Sequence, residues 1–330
     1  MKIFEVIAGA SSLEGLVAAE RPKPEPGPTE VLVRMHAASL NFRDLAIVRG
    51  KYIGGPVTQN TIPLSDGAGI VEAVGEAVTT FAAGDRVTAT FSQGGPMQTL
   101  GSPLDGTLAE YCVFDQFGLL KIPDAISLEH AATLPCAGVT AFNALFAGKR
   151  LHPGDTVLTL GTGGVSIIAL QLAKAAGARV IITSSSDEKL EAARLLGADV
   201  TINYREQPDW EVAVLEATGG SGADHIVELG VVGTLPRSYQ CVAHEGEIKL
   251  IGVITLPDGD LSPYPLMFKS ATLRGIFVGR RHLFVGLLKA IAASGIEPVI
   301  DKEFAFDDAV AAYEYLASAK HLGKVVIRIA

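Results

Sequence analysis

A glycine turn, Gly161-Thr162-Gly163-Gly164, stands between a short apolar stretch, Val157 to Leu160, and a run from Val165 to Ala176 whose apolar residues recur at helical spacing. Glycine lets a backbone approach a phosphate with no Cβ in the way. The free N–H groups at the start of the following helix, with its positive dipole end, stabilise the negative charge. The chemistry is that of a pyrophosphate cradle. The dinucleotide fingerprint runs G-x-G-x-x-G or G-x-G-x-x-A. Here Gly161 and Gly163 fill the first two places and Ser166 the third, with Gly164 and Val165 between them. Serine is small enough for close helix–strand packing, so the match is a near one, and Gly161, Gly163, Gly164 and Val165 are the expected cofactor contacts.

Which dinucleotide binds depends on the end of the next strand, about 20 residues on, where NAD sites usually carry an acid for the ribose 2′-hydroxyl. This chain has Ser184, Ser185 and Ser186 there. Hydroxyls can bind a 2′-phosphate that an acid would repel, and Lys189, five residues beyond Ser184, supplies positive charge. Tyr204 and Arg205 follow in the next turn. NADPH is the favoured cofactor, with NADH possible. Asp187 and Glu188 point the other way, but at a helix start the dipole accounts for them equally well.

The elements that must hold this turn read strand, turn, helix. Gly177 then closes the helix, Arg179 to Thr183 forms a β-branched strand, and Asp187 to Leu196 forms a second helix ended by Gly197. A βαβα unit implies a parallel sheet. Upstream the chain is rich in strands and loops. Lys2 to Val6, Glu30 to Ala37, Ala68 to Val74, Gly84 to Thr88, Tyr111 to Phe114 and Leu119 to Ile122 read as strands, and Ser92 to Asp105 as an exposed loop. The texture changes near Pro123, where a helical pattern from Ala131 to Phe146 carries Pro135 as a kink or boundary. Downstream come helices at Trp210 to Ala217, Leu235 to Cys241, Leu283 to Ser294 and Asp307 to Ala319. Strands are expected at Ile226 to Leu229, Glu247 to Ile251, Thr272 to Val278 and Lys324 to Ile329.

With 330 residues and 48% apolar content, the chain can bury a large core and is expected to form two domains. A formal net charge of −9 argues against a sequence-independent nucleic-acid surface or an anionic membrane partner. No signal peptide is read at the N-terminus and no apolar run approaches the ~20 residues that span a bilayer, so a cytoplasmic location is expected. Cys112, Cys136 and Cys241 are too few and too scattered for a disulfide framework or a zinc ribbon and are expected to be reduced.

Five motifs together carry a family resemblance: Ala38 to Asp44 (ASLNFRD), Ser65 to Gly75 (SDGAGIVEAVG), Gly84-Asp85-Arg86-Val87, Leu134 to Ala141 (LPCAGVTA), and the turn at Gly161. The chain resembles the medium-chain dehydrogenase/reductase superfamily, the alcohol dehydrogenase and quinone oxidoreductase group, over essentially its whole length. The resemblance implies an α/β protein with a Rossmann-type doubly wound parallel sheet and a β-rich GroES-like catalytic domain. The expected division is 1–122 for the first piece of the catalytic domain, 123–265 for the NAD(P)-binding domain, and 266–330 for the sheet extension and return to the catalytic domain.

Zinc-dependent relatives place a cysteine where this chain has Asn41, a histidine at Ser65, an acid matched by Asp66 and a cysteine matched by Cys136. Asn41 and Ser65 are poor zinc donors, and Ser92 to Asp105 lacks the four cysteines of the structural zinc lobe, so no zinc is expected. Without a Lewis acid, the resemblance to the zinc-independent quinone reductases implies a quinone or α,β-unsaturated carbonyl substrate. Their pattern falls on Asn41, Asp44, Gly50 and Tyr52. Asn41 and Tyr52 would donate to the substrate, and Asp66 would orient water or Arg43. The alternatives are a turn-capping Asn41, a core Tyr52 and an Asp44 paired within its own domain.

The same resemblance puts Thr140, Gly230, Val231, Gly252, Val253, Ile254, Phe277 and Val278 near the cofactor and lets Lys324 reach its pyrophosphate, across a cleft between domains. It also implies a homodimer paired through the strand near Thr272 to Val278. The second functional reading is an alcohol dehydrogenase or aldehyde reductase acting on a saturated carbonyl or alcohol. The third is a non-enzymatic protein that only binds the cofactor.

Overall fold

The structure is a computed structural model of the chain and describes residues 1–95, 97–230, 233–252, 262 and 264–330. It separates into two compact units, Met1–Ala137 together with Arg280–Ala330, and Gly138–Gly279. Contacts thus assign the segment after Pro123 to the first unit as far as Ala137, and residues 266–279 to the second. The dividing points differ from the expected 122/123 and 265/266.

The first unit opens with β1 (Lys2–Val6) antiparallel to β2 (Leu16–Glu20). Then follow β3 (Glu30–Leu40), α1 (Phe42–Val48), β4 (Asp66–Val74), β5 (Arg86–Ala89), β6 (Tyr111–Asp115), β7 (Leu119–Lys121) and α2 (Leu128–Ala132). The helical pattern expected through Phe146 breaks into α2, a π-helical turn at Leu134–Gly138 and the next helix. Pro135 lies in that turn because it has no N–H for the helical ladder.

In the second unit the elements are α3 (Val139–Phe146), β8 (Thr156–Leu160), α4 (Gly164–Ala175), β9 (Arg179–Ser184), α5 (Asp187–Leu195), β10 (Val200–Asn203), α6 (Trp210–Ala217), β11 (Ala223–Glu228), α7 (Leu235–Cys241), β12 (Val242–Leu250), α8 (Tyr264–Phe268) and β13 (Thr272–Gly275). Among the described residues the strands form a parallel sheet in the order β10-β9-β8-β11-β12-β13. The chain leaves β8 toward β9 on one side and later returns to β11 on the other. The switch point of the topology therefore lies at the glycine turn, where open α/β sheets bind ligands. Leu158, Ile181, Ile202, Val214, Ile226, Tyr239 and Ile248 fill the core. The strand expected over Thr272 to Val278 ends at Gly275.

The chain then adds α9 (Arg281–Ser294), β14 (Ile300–Ala305), α10 (Ala309–Ala317) and β15 (Lys324–Arg328) to the first unit. Its larger sheet runs β14-β15-β3-β4-β5-β7, with β6 also on β3. β3 extends three residues past the expected Ala37. β15 pairs with its end, Val325 opposite Leu40, and β4 covers its other side, Asp66 opposite Ser39. Ile3, Val33, Met35, Leu40, Leu45, Leu108, Tyr313 and Val325 pack in the core.

Among the described residues, no helix is long and apolar enough to cross a membrane.

Candidate active site

β8 ends at Leu160 and Gly161 turns the chain with φ +76, the left-handed region that favours glycine. A Cβ built on Gly161 or Gly163 would meet nothing within 4 Å. The space beside both is open, as a phosphate cradle requires. Gly163 is the N-cap of α4 and supplies no side-chain acceptor, so the first N–H groups from Gly164 and Val165 onward have no side-chain cap. Ser166 is fully buried and its hydroxyl donates to Leu160 O at 2.8 Å, drawing α4 onto the end of β8.

The end of β9 is tied to the same turn, since Gly161 N–H donates to Thr183 Oγ1 at 3.3 Å. Next to it, Ser184 Oγ accepts from Ser186 N–H (3.4 Å), and Ser184 O accepts from Tyr204 N–H (3.0 Å). The Ser184 hydroxyl keeps its own proton to donate. Ser186 caps α5 by accepting from Lys189 N–H, which puts Lys189 in the first turn beside the serines. Asn203 Nδ2 donates to Asp187 Oδ1 at 2.7 Å, so this acid already has a partner.

Other expected cofactor residues occupy the ends of strands and the start of α3. Thr140 is buried near the start of α3. Glu228, fully buried at the end of β11, accepts from Gly230 N–H (2.9 Å), Ser238 Oγ (2.5 Å) and Thr234 Oγ1, and so shapes the turn at Gly230. Gly252 follows β12 where a Cβ would lie 1.7 Å from Leu229 O, so only glycine fits there. Phe277 is half-exposed, and Val278, at φ +50, holds a conformation uncommon for a β-branched residue. The Val278 carbonyl accepts from Asn143 Nδ2 at 2.7 Å. Val231, Val253 and Ile254 lie outside the described residues.

In the first unit, four ionisable side chains are buried together: Arg43, Asp44, Asp66 and Lys324. Asn41 is the N-cap of α1, and Asp44 Oδ2 accepts from Asn41 N–H at 2.8 Å. Burial pushes the Asp44 carboxyl up to about 6 against the pull of Arg43, 3.4 Å away. Asp66 Oδ1 accepts from Ser65 Oγ (2.8 Å), and Oδ2 lies 3.5 Å from Ser39 Oγ and 3.6 Å from Lys324 Nζ. Lys324 Nζ donates to Leu40 O and to Asn41 Oδ1, each at 2.6 Å. The other end of that amide, Asn41 Nδ2, is buried with no hydrogen-bond partner. Burial, with Asp66 adding to it, pushes the Cys136 thiol far up.

Three expectations change here. Asp66 faces Lys324 and two serines, whereas Arg43 pairs with Asp44. Lys324, expected to reach the pyrophosphate, is 2% exposed and turned inward to Leu40 O, Asn41 Oδ1 and Asp66 Oδ2, because β15 lies against the end of β3. The segment 92–105 is not wholly exposed either: Thr99 and Leu100 are buried, and Arg43 donates to Leu100 O (2.8 Å), Thr99 Oγ1 (3.3 Å) and Ser102 O (3.3 Å). The Arg43 guanidinium lies 5.0 Å from the Tyr52 ring centre and 4.9 Å from that of Phe91. Arg43 was missed as a site organiser, and its only signal was its place between Asn41 and Asp44.

A parallel α/β unit with an open glycine cradle at its switch point, joined to a β-rich unit with a buried polar cluster, defines an NAD(P)H-dependent oxidoreductase. The chain belongs to the medium-chain dehydrogenase/reductase superfamily of alcohol dehydrogenases and quinone oxidoreductases. The family description "Zinc-binding dehydrogenase" matches residues 164–293, and "Alcohol dehydrogenase GroES-like domain" matches residues 27–124. A zinc-type alcohol dehydrogenase-like protein of Schizosaccharomyces pombe is 46% identical over 317 residues, covering 92% of this chain and 91% of that one. A solved NAD-dependent alcohol dehydrogenase superposes with a TM-score of 0.92 at 31% identity, and Escherichia coli quinone oxidoreductase complexed with NADPH with 0.87 at 26%; both cover 100% of each chain.

Proposed function

We propose that this protein is a zinc-independent, NADPH-dependent reductase that delivers hydride to a quinone or an α,β-unsaturated carbonyl. The observation that carries this reading is the buried, unpartnered Asn41 Nδ2, a donor whose isolation costs about 1–3 kcal/mol unless a ligand oxygen meets it. The bound nicotinamide would supply the hydride. Asn41 Nδ2–H would then meet the negative charge that builds on the substrate oxygen, as an oxyanion donor does. Tyr52, whose ring stacks on Arg43, would line the same wall.

Zinc does not fit the donor set. Asn41 Oδ1 is taken by an ammonium and Ser65 Oγ is spent on Asp66, which leaves only Asp66 and Cys136 of the four positions as ordinary zinc donors. Metal analysis of fully active protein should find far less than one zinc per chain. The Ser184-Ser185-Ser186 hydroxyls with Lys189 support NADPH.

The second reading, reduction of a saturated carbonyl, is favoured by the alcohol dehydrogenase relatives. One reaction separates the two: an enal with NADPH after chelator treatment, its products analysed by gas chromatography and mass spectrometry. A saturated aldehyde supports hydride delivery to the β carbon. An unsaturated alcohol overturns it in favour of the second reading.

A homodimer is part of the proposal. Among the described residues β13 is an edge strand, and beside it Tyr264, Met267, Phe268 and Leu273 are exposed apolar side chains. Edge-to-edge pairing of two copies would cover them. Sedimentation velocity should give a dimer that Leu273→Lys dissociates.

A further inference from the structure

Lys324, one of two buried cations among the described residues of the first unit, has a geometry that bears on how Asn41 presents its donor. Lys324 Nζ lies 2.6 Å from Asn41 Oδ1 and 2.6 Å from Leu40 O. An ammonium has hydrogens to donate and no lone pair to accept with. The end of the Asn41 amide that faces it is therefore the carbonyl, and the NH2 group points the other way. That Nδ2 is the buried donor without a partner. The backbone of Asn41 is held as well, by Asp44 Oδ2 on its N–H at 2.8 Å. The side chain is thus fixed through its amide carbonyl and the backbone of the residue through its N–H.

The cation is itself held in place. Asp66 Oδ2 stands 3.6 Å from Lys324 Nζ, and Asp66 Oδ1 takes a hydrogen bond from Ser65 Oγ at 2.8 Å. β15 brings the lysine in by pairing Val325 with Leu40, the residue before Asn41. A buried ion pair of this kind is weak support for stability compared with apolar packing. A hydrogen bond from a cation to an amide oxygen also draws electron density from the amide nitrogen, which makes its N–H a better donor.

We infer that Lys324 is a positioning residue for hydride transfer: bonded to Asn41 Oδ1, it fixes and polarises the amide so that Nδ2–H faces the substrate oxygen. The inference rests on the proposed role of Asn41 as donor. It assigns Lys324 to the substrate side of the reaction and not to the cofactor's pyrophosphate. Asp66 serves as the counter-charge that keeps the ammonium buried, two steps removed from the substrate.

The test is a double-mutant cycle on the full-length enzyme, read as kcat, substrate KM and NADPH dissociation constant at saturating cofactor where needed. Its members are Asn41→Ala, the charge-neutral pair Lys324→Met with Asp66→Asn, and their combination. Asn41→Ala should lower kcat about a hundredfold, as loss of one oxyanion donor does. The neutral pair should lower kcat about tenfold with NADPH affinity unchanged, the worth of one charge-assisted bond. In the Asn41→Ala background the pair should have no further effect.

An equal loss in both backgrounds, or a loss confined to NADPH affinity, would overturn the inference while leaving Asn41 as donor intact. An unchanged kcat for Asn41→Ala would remove the donor reading and the inference with it. Should the neutral pair fail to fold, Lys324→Arg carries the test, since a guanidinium also only donates. It should keep kcat within about threefold of wild type, and a folded Lys324→Arg as slow as Asn41→Ala counts against the inference.

Discussion

Lys249 Nζ lies 2.5 Å from His225 Nδ1 between the strands β12 and β11, and both side chains are fully buried. His225 Nε2 is 3.1 Å from Asp155 Oδ2. The ring nitrogen facing an ammonium must accept, so His225 carries its proton on Nε2, toward Asp155. Burial pushes Lys249 down to about 7, against the pull of Glu247, and with Arg274 and Lys149 adding to the fall. Burial also pushes His225 down to about 4.

This pair makes stability depend on pH. Lys249 titrates near 10.5 when unfolded and near 7 when folded, so between these values the unfolded chain binds more protons. The stabilising contribution is complete above pH 10.5 and is lost as pH falls toward 7. Urea unfolding of wild type and Lys249→Met at pH 7, 8 and 9 should show the difference, wild type minus variant, rising with pH. A constant difference would mean that Lys249 is not titrating there.

Cofactor choice should turn on Ser184. The change Ser184→Asp places a carboxylate where a 2′-phosphate would sit, and it should weaken NADPH at least tenfold while sparing NADH, about one unfavourable charge contact. Fluorescence titration with each cofactor reads this directly. Equal weakening of both would remove the serine from cofactor discrimination.

Two glycines should fail in different ways. Gly163 has φ −79 and open space where a Cβ would go, so Gly163→Ala should leave the melting temperature unchanged and lower NADPH affinity, because the methyl takes room a phosphate needs. At Gly252 the Cβ would collide with Leu229 O, so Gly252→Ala should cost about 2 kcal/mol of stability as well. Calorimetry beside a binding titration separates the two.

Arg43 is expected to hold the segment 99–102 against α1. Removing it takes from the buried Asp44 its ion-pair partner and leaves it the Asn41 N–H, and Arg43→Met should destabilise by about 3 kcal/mol. Limited proteolysis should then cut within 92–105 in the variant and spare wild type. If the segment stays protected, the guanidinium is not its anchor.

The nucleotide unit was legible because its signals are local. Gly161 and Gly163 sit between an apolar strand and an amphipathic helix, and the strand and helix periods there needed no distant partner to be read. β2 and β14 were missed. Ala18 and Ala19 weaken the strand signal of the first, and the charges of Asp301, Lys302 and Glu303 mask the second, whose pairing with β15 supplies its hydrogen bonds. Asn41 was recognised by motif, but nothing in its neighbours along the chain announced that its carbonyl meets a lysine 283 residues away.

Residue order was enough to set the family, since the glycine turn at Gly161 and the motifs at Ala38 to Asp44, Ser65 to Gly75 and Leu134 to Ala141 are each a matter of type and spacing. Folding decided the electrostatics. Whether Lys324 lies in water or beside Asn41 and Asp66 depends on β15 closing against β3, a long-range pairing that takes the ammonium out of solvent and makes its partners matter.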